Sequence, residues 1–101
     1  MRREVRQRRP RRRHDVWLRS VGGEHAVFDP VSKGLYMLNE TARAIWELCD
    51  GDTTADEMVM AICEVSGLPP DVVAEDVHRT LSEFDRLGML EWDEPVGTGG
   101  A

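Results

Sequence analysis

Apolar residues fall in short runs up to residue 38 and at helical spacing beyond it. Val16-Trp17-Leu18-Arg19-Ser20 predicts a first strand, and Gly22-Gly23 a turn. Glu24 to Asp29 alternates weakly and predicts a second strand. Asp29-Pro30-Val31-Ser32-Lys33-Gly34 reads as a loop in which Pro30 sets φ and Gly34 permits a tight return. Leu35-Tyr36-Met37-Leu38 predicts a third strand, with Tyr36 and Leu38 on one face and Leu35 and Met37 on the other. Loops this short imply an antiparallel meander.

From residue 39 the period changes. The Asn39 side chain can accept from a free N–H at a helix start. Ala42, Ile45 and Cys49, flanked by Trp46 and Leu48, then give Thr41–Cys49 a broad apolar face. Asp50-Gly51 is the expected stop, with Gly51 at the left-handed C′ position. Thr54 and Glu57 match a capping box, and Met58, Val59, Ile62 and Val65 form the stripe of a second helix ending at Gly67. Leu68-Pro69-Pro70 forces a break. Val73, Val77, Leu81, Phe84 and Gly88 then step by helical spacing along one buried face. Met89-Leu90-Glu91-Trp92 predicts a short extended return onto the core. The architecture expected is α+β: a small winged-helix-like domain, a three-stranded antiparallel sheet followed by three helices.

A chain of 101 residues, 41% hydrophobic and 32% charged, is one small globular domain with a modest core. Its net charge of −6 conceals a division. Residues 1–13 hold eight arginines against Glu4 alone, whereas residues 14–101 hold five basic residues against 18 acidic ones. The expected organisation is a disordered Arg-rich arm over 1–13, a folded domain over 14–92 and a flexible Gly-rich tail over 93–101. No apolar run is long enough for a membrane span, and the basic start lacks the apolar stretch of a secretory signal. Cys49 and Cys63 lie on apolar helix faces without CxxC spacing, as reduced thiols do. These features point to the cytoplasm.

Little in the chain suggests catalysis. His14, His25 and His78 lack metal-ligand spacing, no Cys–His or Ser–His pair stands out, and no metal or cofactor is expected. Glu75-Asp76 reads as a solvated helix face, and Asp56-Glu57 as acids in a helix first turn. Trp46 and Phe84 read as core. The alternative is a winged-helix nucleic-acid-binding protein using its basic arm. In the third helix, however, Arg79 and Arg86 stand among Asp71, Glu75, Asp76, Glu83 and Asp85, which would repel DNA from a groove-inserted helix.

Gly34-Leu35-Tyr36-Met37-Leu38-Asn39-Glu40-Thr41-Ala42, Ile45-Trp46-Glu47-Leu48 and Asp50-Gly51 resemble the core signature of the PqqD family. The resemblance continues through Thr54 and Glu57, then Asp76-Val77, Leu81 and Gly88-Met89-Leu90-Glu91, and spans roughly residues 15–92. It implies a non-catalytic peptide chaperone that binds the leader of a ribosomally made precursor peptide and presents it to a modifying enzyme. In this family the partner is a radical S-adenosylmethionine enzyme in pyrroloquinoline quinone biosynthesis, and relatives serve lasso peptides, where a leader peptidase takes that place. The resemblance further implies that the leader adds as a strand beside the third strand and lies against the third helix. Carried to this chain, the site residues are Leu35, Tyr36, Met37 and Leu38 with Asp76, Arg79, Thr80 and Glu83. An acidic rim would favour Lys or Arg in the leader.

Overall fold

In the computed structural model, residues 8–92 are described. In chain order the elements are β1 (Pro10–Arg12), β2 (Trp17–Val21), β3 (Glu24–Asp29), β4 (Gly34–Leu38), α1 (Glu40–Leu48), α2 (Ala55–Ser66), α3 (Pro70–Arg86) and β5 (Leu90–Trp92). The third strand read from the sequence is β4. β2, β3 and β4 form the expected antiparallel meander in that order. Gly22 and Gly23 close its first hairpin with φ of 59° and 83°, as the primed two-residue turn requires.

Helix boundaries follow local chemistry. The Asn39 side chain accepts from Ala42 N at 2.8 Å and starts α1. Thr54 and Glu57 complete a reciprocal capping box at α2, which Gly67 ends in the left-handed region. Pro70 opens α3 at a position where a missing N–H is tolerated. Ile45 and Trp46 of α1, Met58 and Ile62 of α2, and Val73, Val77, Leu81 and Phe84 of α3 build one core. Trp46 meets Phe84 edge-on, with centroids 5.2 Å apart. Two expected members of the stripes stay outside: Val65 and Gly88 are exposed.

The expectation of an unpacked arm over residues 1–13 fails at residues 10–13. β1 pairs antiparallel with β5, Pro10 opposite Trp92 and Arg12 opposite Leu90. The physical reason is that helix ends leave carbonyls without partners, and arginine carries donors in a rigid fork. Arg12 Nη1 donates to Trp46 O and to Glu47 O, both at 2.9 Å, and Arg12 N donates to Cys49 O. Arg13 donates to Gly88 O beyond the end of α3, and to Asp15 and Asp29. Gly51 is corrected in the same way. It is left-handed, with φ of 84°, but its N–H donates to Pro10 O rather than back into α1, whose cap is Cys49. Residues 1–7, the remainder of the expected arm, and 93–101, the expected tail, lie outside the described residues.

Candidate functional site

β4 is an edge strand: β3 pairs with one side of it, and among the described residues no strand pairs with the other. Its backbone therefore offers unsatisfied N–H and C=O groups, the template for strand addition. The side-chain division is as read from the sequence. Tyr36 and Leu38 are half-buried against the core, while Leu35 and Met37 face outward, 64% and 59% exposed.

Specific contacts mark each end of this strand. Before it, the Tyr36 phenol lies across Gly34, where any Cβ would collide with the ring. After it, the chain turns through the Asn39 cap straight into α1. His25, opposite Leu38 in the register, is buried between Ser20 Oγ at 2.7 Å from Nδ1 and Glu40 Oε2 at 2.9 Å from Nε2. Both ring nitrogens are thereby partnered, Nδ1 with the Ser20 hydroxyl and Nε2 with the Glu40 carboxylate. His25 correspondingly holds the Glu40 carboxyl below the usual range, chiefly by this hydrogen bond. The ring thus ties the sheet to the first residue of α1.

Asp76, Arg79, Thr80 and Glu83 occupy one flank of α3 at helical spacing, beside the buried stripe. Their charges are already partnered within the helix: Arg79 with Asp76 at 2.5 Å, and Arg86 with Glu83. The Arg86 pKa is raised by the Glu83 hydrogen bond first, with a smaller contribution from the Tyr36 phenol. α1 packs against β4 and against α3, and so sets the spacing between them. Leu35 and Met37 point away from the helices, and the structure does not bring their side chains to the α3 flank.

The outer face of the sheet, outside the residues expected to form the site, carries a further feature. Trp17, Arg19, Ala26, Phe28, Leu35 and Met37 line a shallow hollow of about 490 Å³ there. Trp17 and Phe28 meet edge-on across β2 and β3, and Arg19 lies over the Trp17 ring. A signal existed: Trp17 and Val21, Ala26 and Phe28, and Leu35 and Met37 recur at alternate positions of three successive strands.

Elsewhere the buried polar groups are structural. Burial pushes the Cys49 thiol up to about 12, which leaves it an inert core residue. Among the described residues no helix is long and apolar enough to cross a membrane, and no cluster of His, Cys, Asp or Glu is grouped to hold a metal ion.

An open sheet edge beside a three-helix bundle defines a small α+β domain built around β4. The chain belongs to the PqqD family: residues 24–90, more than half of its length, match the family described as coenzyme PQQ synthesis protein D. β1 and β2 lie before the matched segment. Three solved structures are similar. TbiB1, in complex with the TbiA(beta) leader peptide, is 20% identical with a TM-score of 0.71, over 80% of this chain and 94% of that one. Lasso peptide synthetase B1, complexed with its leader peptide, is 14% identical with a TM-score of 0.72, over 82% and 98%. The PqqD truncation of Methylobacterium extorquens PqqCD, described as a stand-alone recognition element for ribosomally synthesised and post-translationally modified peptides, is 23% identical with a TM-score of 0.69, over 81% and 87%. At these identities the likeness establishes the fold. No curated protein matches the chain.

Proposed function

We propose that this chain is a non-catalytic peptide-capture domain. It takes the leader of a ribosomally made precursor as an added strand on β4 and presents the precursor to a modifying enzyme. The observation that carries this reading is the unpaired edge of β4, which runs from Gly34 to the Asn39 cap of α1. Two similar structures hold leader peptides, which supports it. The enzyme served is a radical S-adenosylmethionine enzyme or, in a lasso-type pathway, a leader peptidase. Free Cys49 and Cys63 fit a cytoplasmic setting.

Backbone pairing alone is too weak for this task. Each added hydrogen bond nets about 1 kcal/mol, whereas micromolar binding needs about 8 kcal/mol beyond the cost of association. Apolar side chains of the leader must therefore pack beside Tyr36 and Leu38, with Asp76, Arg79, Thr80 and Glu83 as the polar rim. Because Asp76 and Glu83 are paired with Arg79 and Arg86, the preference for a basic leader comes from the acid excess of the domain more than from bare rim carboxylates.

The test is amide hydrogen exchange of the full chain with leader peptides encoded beside its gene, at low and high salt. Capture on β4 is expected to slow exchange within Leu35–Leu38, and added salt to weaken binding by a basic leader. Binding that leaves those amides exchanging as in the free chain would rule out strand addition.

A further inference from the structure

Strand addition on β4 has a consequence for the face of the sheet turned away from the helices. Side chains of any added strand alternate between the two faces. One row would enter the groove beside Tyr36 and Leu38; the other would lie on the outer face beside Leu35 and Met37. That outer face is already mostly apolar and laid out in rows, with Arg19 and Glu24 as its charged members. Trp17, Phe28 and Leu35 are cross-strand neighbours in one row, and Arg19, Ala26 and Met37 in the next. Each row ends at β4 on a large apolar side chain covered from one side only, with Leu35 and Met37 both more than half exposed. Neither is needed by the core, which is built from the opposite parity of β4.

We infer that the captured leader segment is read on both of its faces, and that Leu35 and Met37 select large apolar residues at the leader positions opposite them. The inference rests on the capture reading above. It deepens that reading by naming the ligand class: a short run apolar at every position, rather than one alternating between apolar and polar. The physical ground is that cross-strand side-chain pairs are the unit of sheet stabilisation. A polar residue opposite Leu35 or Met37 would leave the row ending in water. An apolar one extends Trp17–Phe28–Leu35, or Arg19–Ala26–Met37, by a fourth member. Met37 stands next to the small side chain of Ala26, over the hollow bounded by Trp17, Arg19 and Phe28.

A phage-displayed library of short random peptides, panned against the full chain and against a Leu35→Thr/Met37→Thr double variant, tests this. Threonine keeps strand propensity, and the replaced side chains are exposed, so the fold is retained. The wild type is expected to enrich peptides apolar at both parities. The double variant should keep the preference at one parity and lose it at the other, and bind the wild-type-selected peptides about three- to tenfold more weakly, the scale of two cross-strand pairs. Selected peptides that are apolar at one parity only, or that bind the double variant as tightly as the wild type, would overturn the inference while leaving capture on β4 standing. Failure of any peptide to enrich, or enriched peptides that do not slow exchange of the Leu35–Leu38 amides, would overturn the capture reading and this inference with it.

Discussion

Asp29 ends β3 with a carboxylate that is 2% exposed. It accepts from Arg13 Nη2 at 2.7 Å and from Val31 N at 2.9 Å. The Arg13 hydrogen bond is the main reason its pKa falls from an ordinary 3.8 to about 2; burial opposes the shift and the Val31 N–H assists it. Asp15 is lowered for the same first reason. A carboxyl whose pKa is depressed in the folded state adds stability above its unfolded pKa and loses it as pH falls through the folded one. Stability is therefore expected to decline between about pH 4 and about pH 2. In an Asp29→Asn variant the urea midpoint should be lower near neutral pH and change less across that acidic window. An equally steep acid loss in the variant would show that Arg13–Asp29 is not the group responsible.

At the scale of elements, Asn39 and Gly51 bracket α1 by different means, and substitution should separate them. Asn39→Ala removes one side-chain acceptor from the start of the helix and is expected to cost about 1 kcal/mol. Gly51→Ala places a Cβ at a left-handed φ of 84° and within 2.8 Å of Arg11 Nε, so it must strain the backbone and displace Arg11 together. Its cost should exceed that of Asn39→Ala, by about 1 kcal/mol or more, in chemical denaturation. The difference also explains which parts of the fold were legible in the sequence. Asn39, the Thr54–Glu57 box and Gly67 act on backbone groups within a turn of themselves, so residue type and spacing sufficed to place them. The parity of β4 was legible for the same reason. Gly51 was only half legible, because its N–H partner is Pro10, far off in sequence. The outer face of the sheet was missed because alternation separates two faces without saying which one the helices cover. Helical spacing alone puts Asp76, Arg79, Thr80 and Glu83 on one flank of α3, and the structure adds Arg86 as the partner of Glu83.

For the molecule as a whole, the decisive long-range connection is the one composition concealed. An arginine-rich start reads as a solvated arm, yet residues 10–13 join the last strand, the end of α1 and the end of α3. Beyond the β1–β5 ladder, three further backbone hydrogen bonds make the connection: Arg12 N to Cys49 O, Arg13 N to Met89 O, and Gly51 N to Pro10 O, all at 2.9–3.0 Å. At about 1 kcal/mol net each they contribute about 3 kcal/mol, before the guanidinium bonds are counted. That is a large part of the 5–15 kcal/mol typical of a domain. Two truncations isolate the contribution. A chain lacking residues 1–7 keeps Arg8 over the Trp92 ring together with β1, Arg12 and Arg13, and its thermal midpoint serves as the reference. A chain lacking residues 1–13 also loses β1, the donors to Trp46 O and Glu47 O, and the partner of Asp29. Its midpoint should fall by a further 10 °C or more, taking about 4–8 °C per kcal/mol for a domain of this size. Loss of the Arg12 donors at the end of α1 would also loosen the helix that sets the spacing between β4 and α3, so peptide binding should weaken along with stability. Equal midpoints for the two truncated chains would mean that β1 does not hold the fold together.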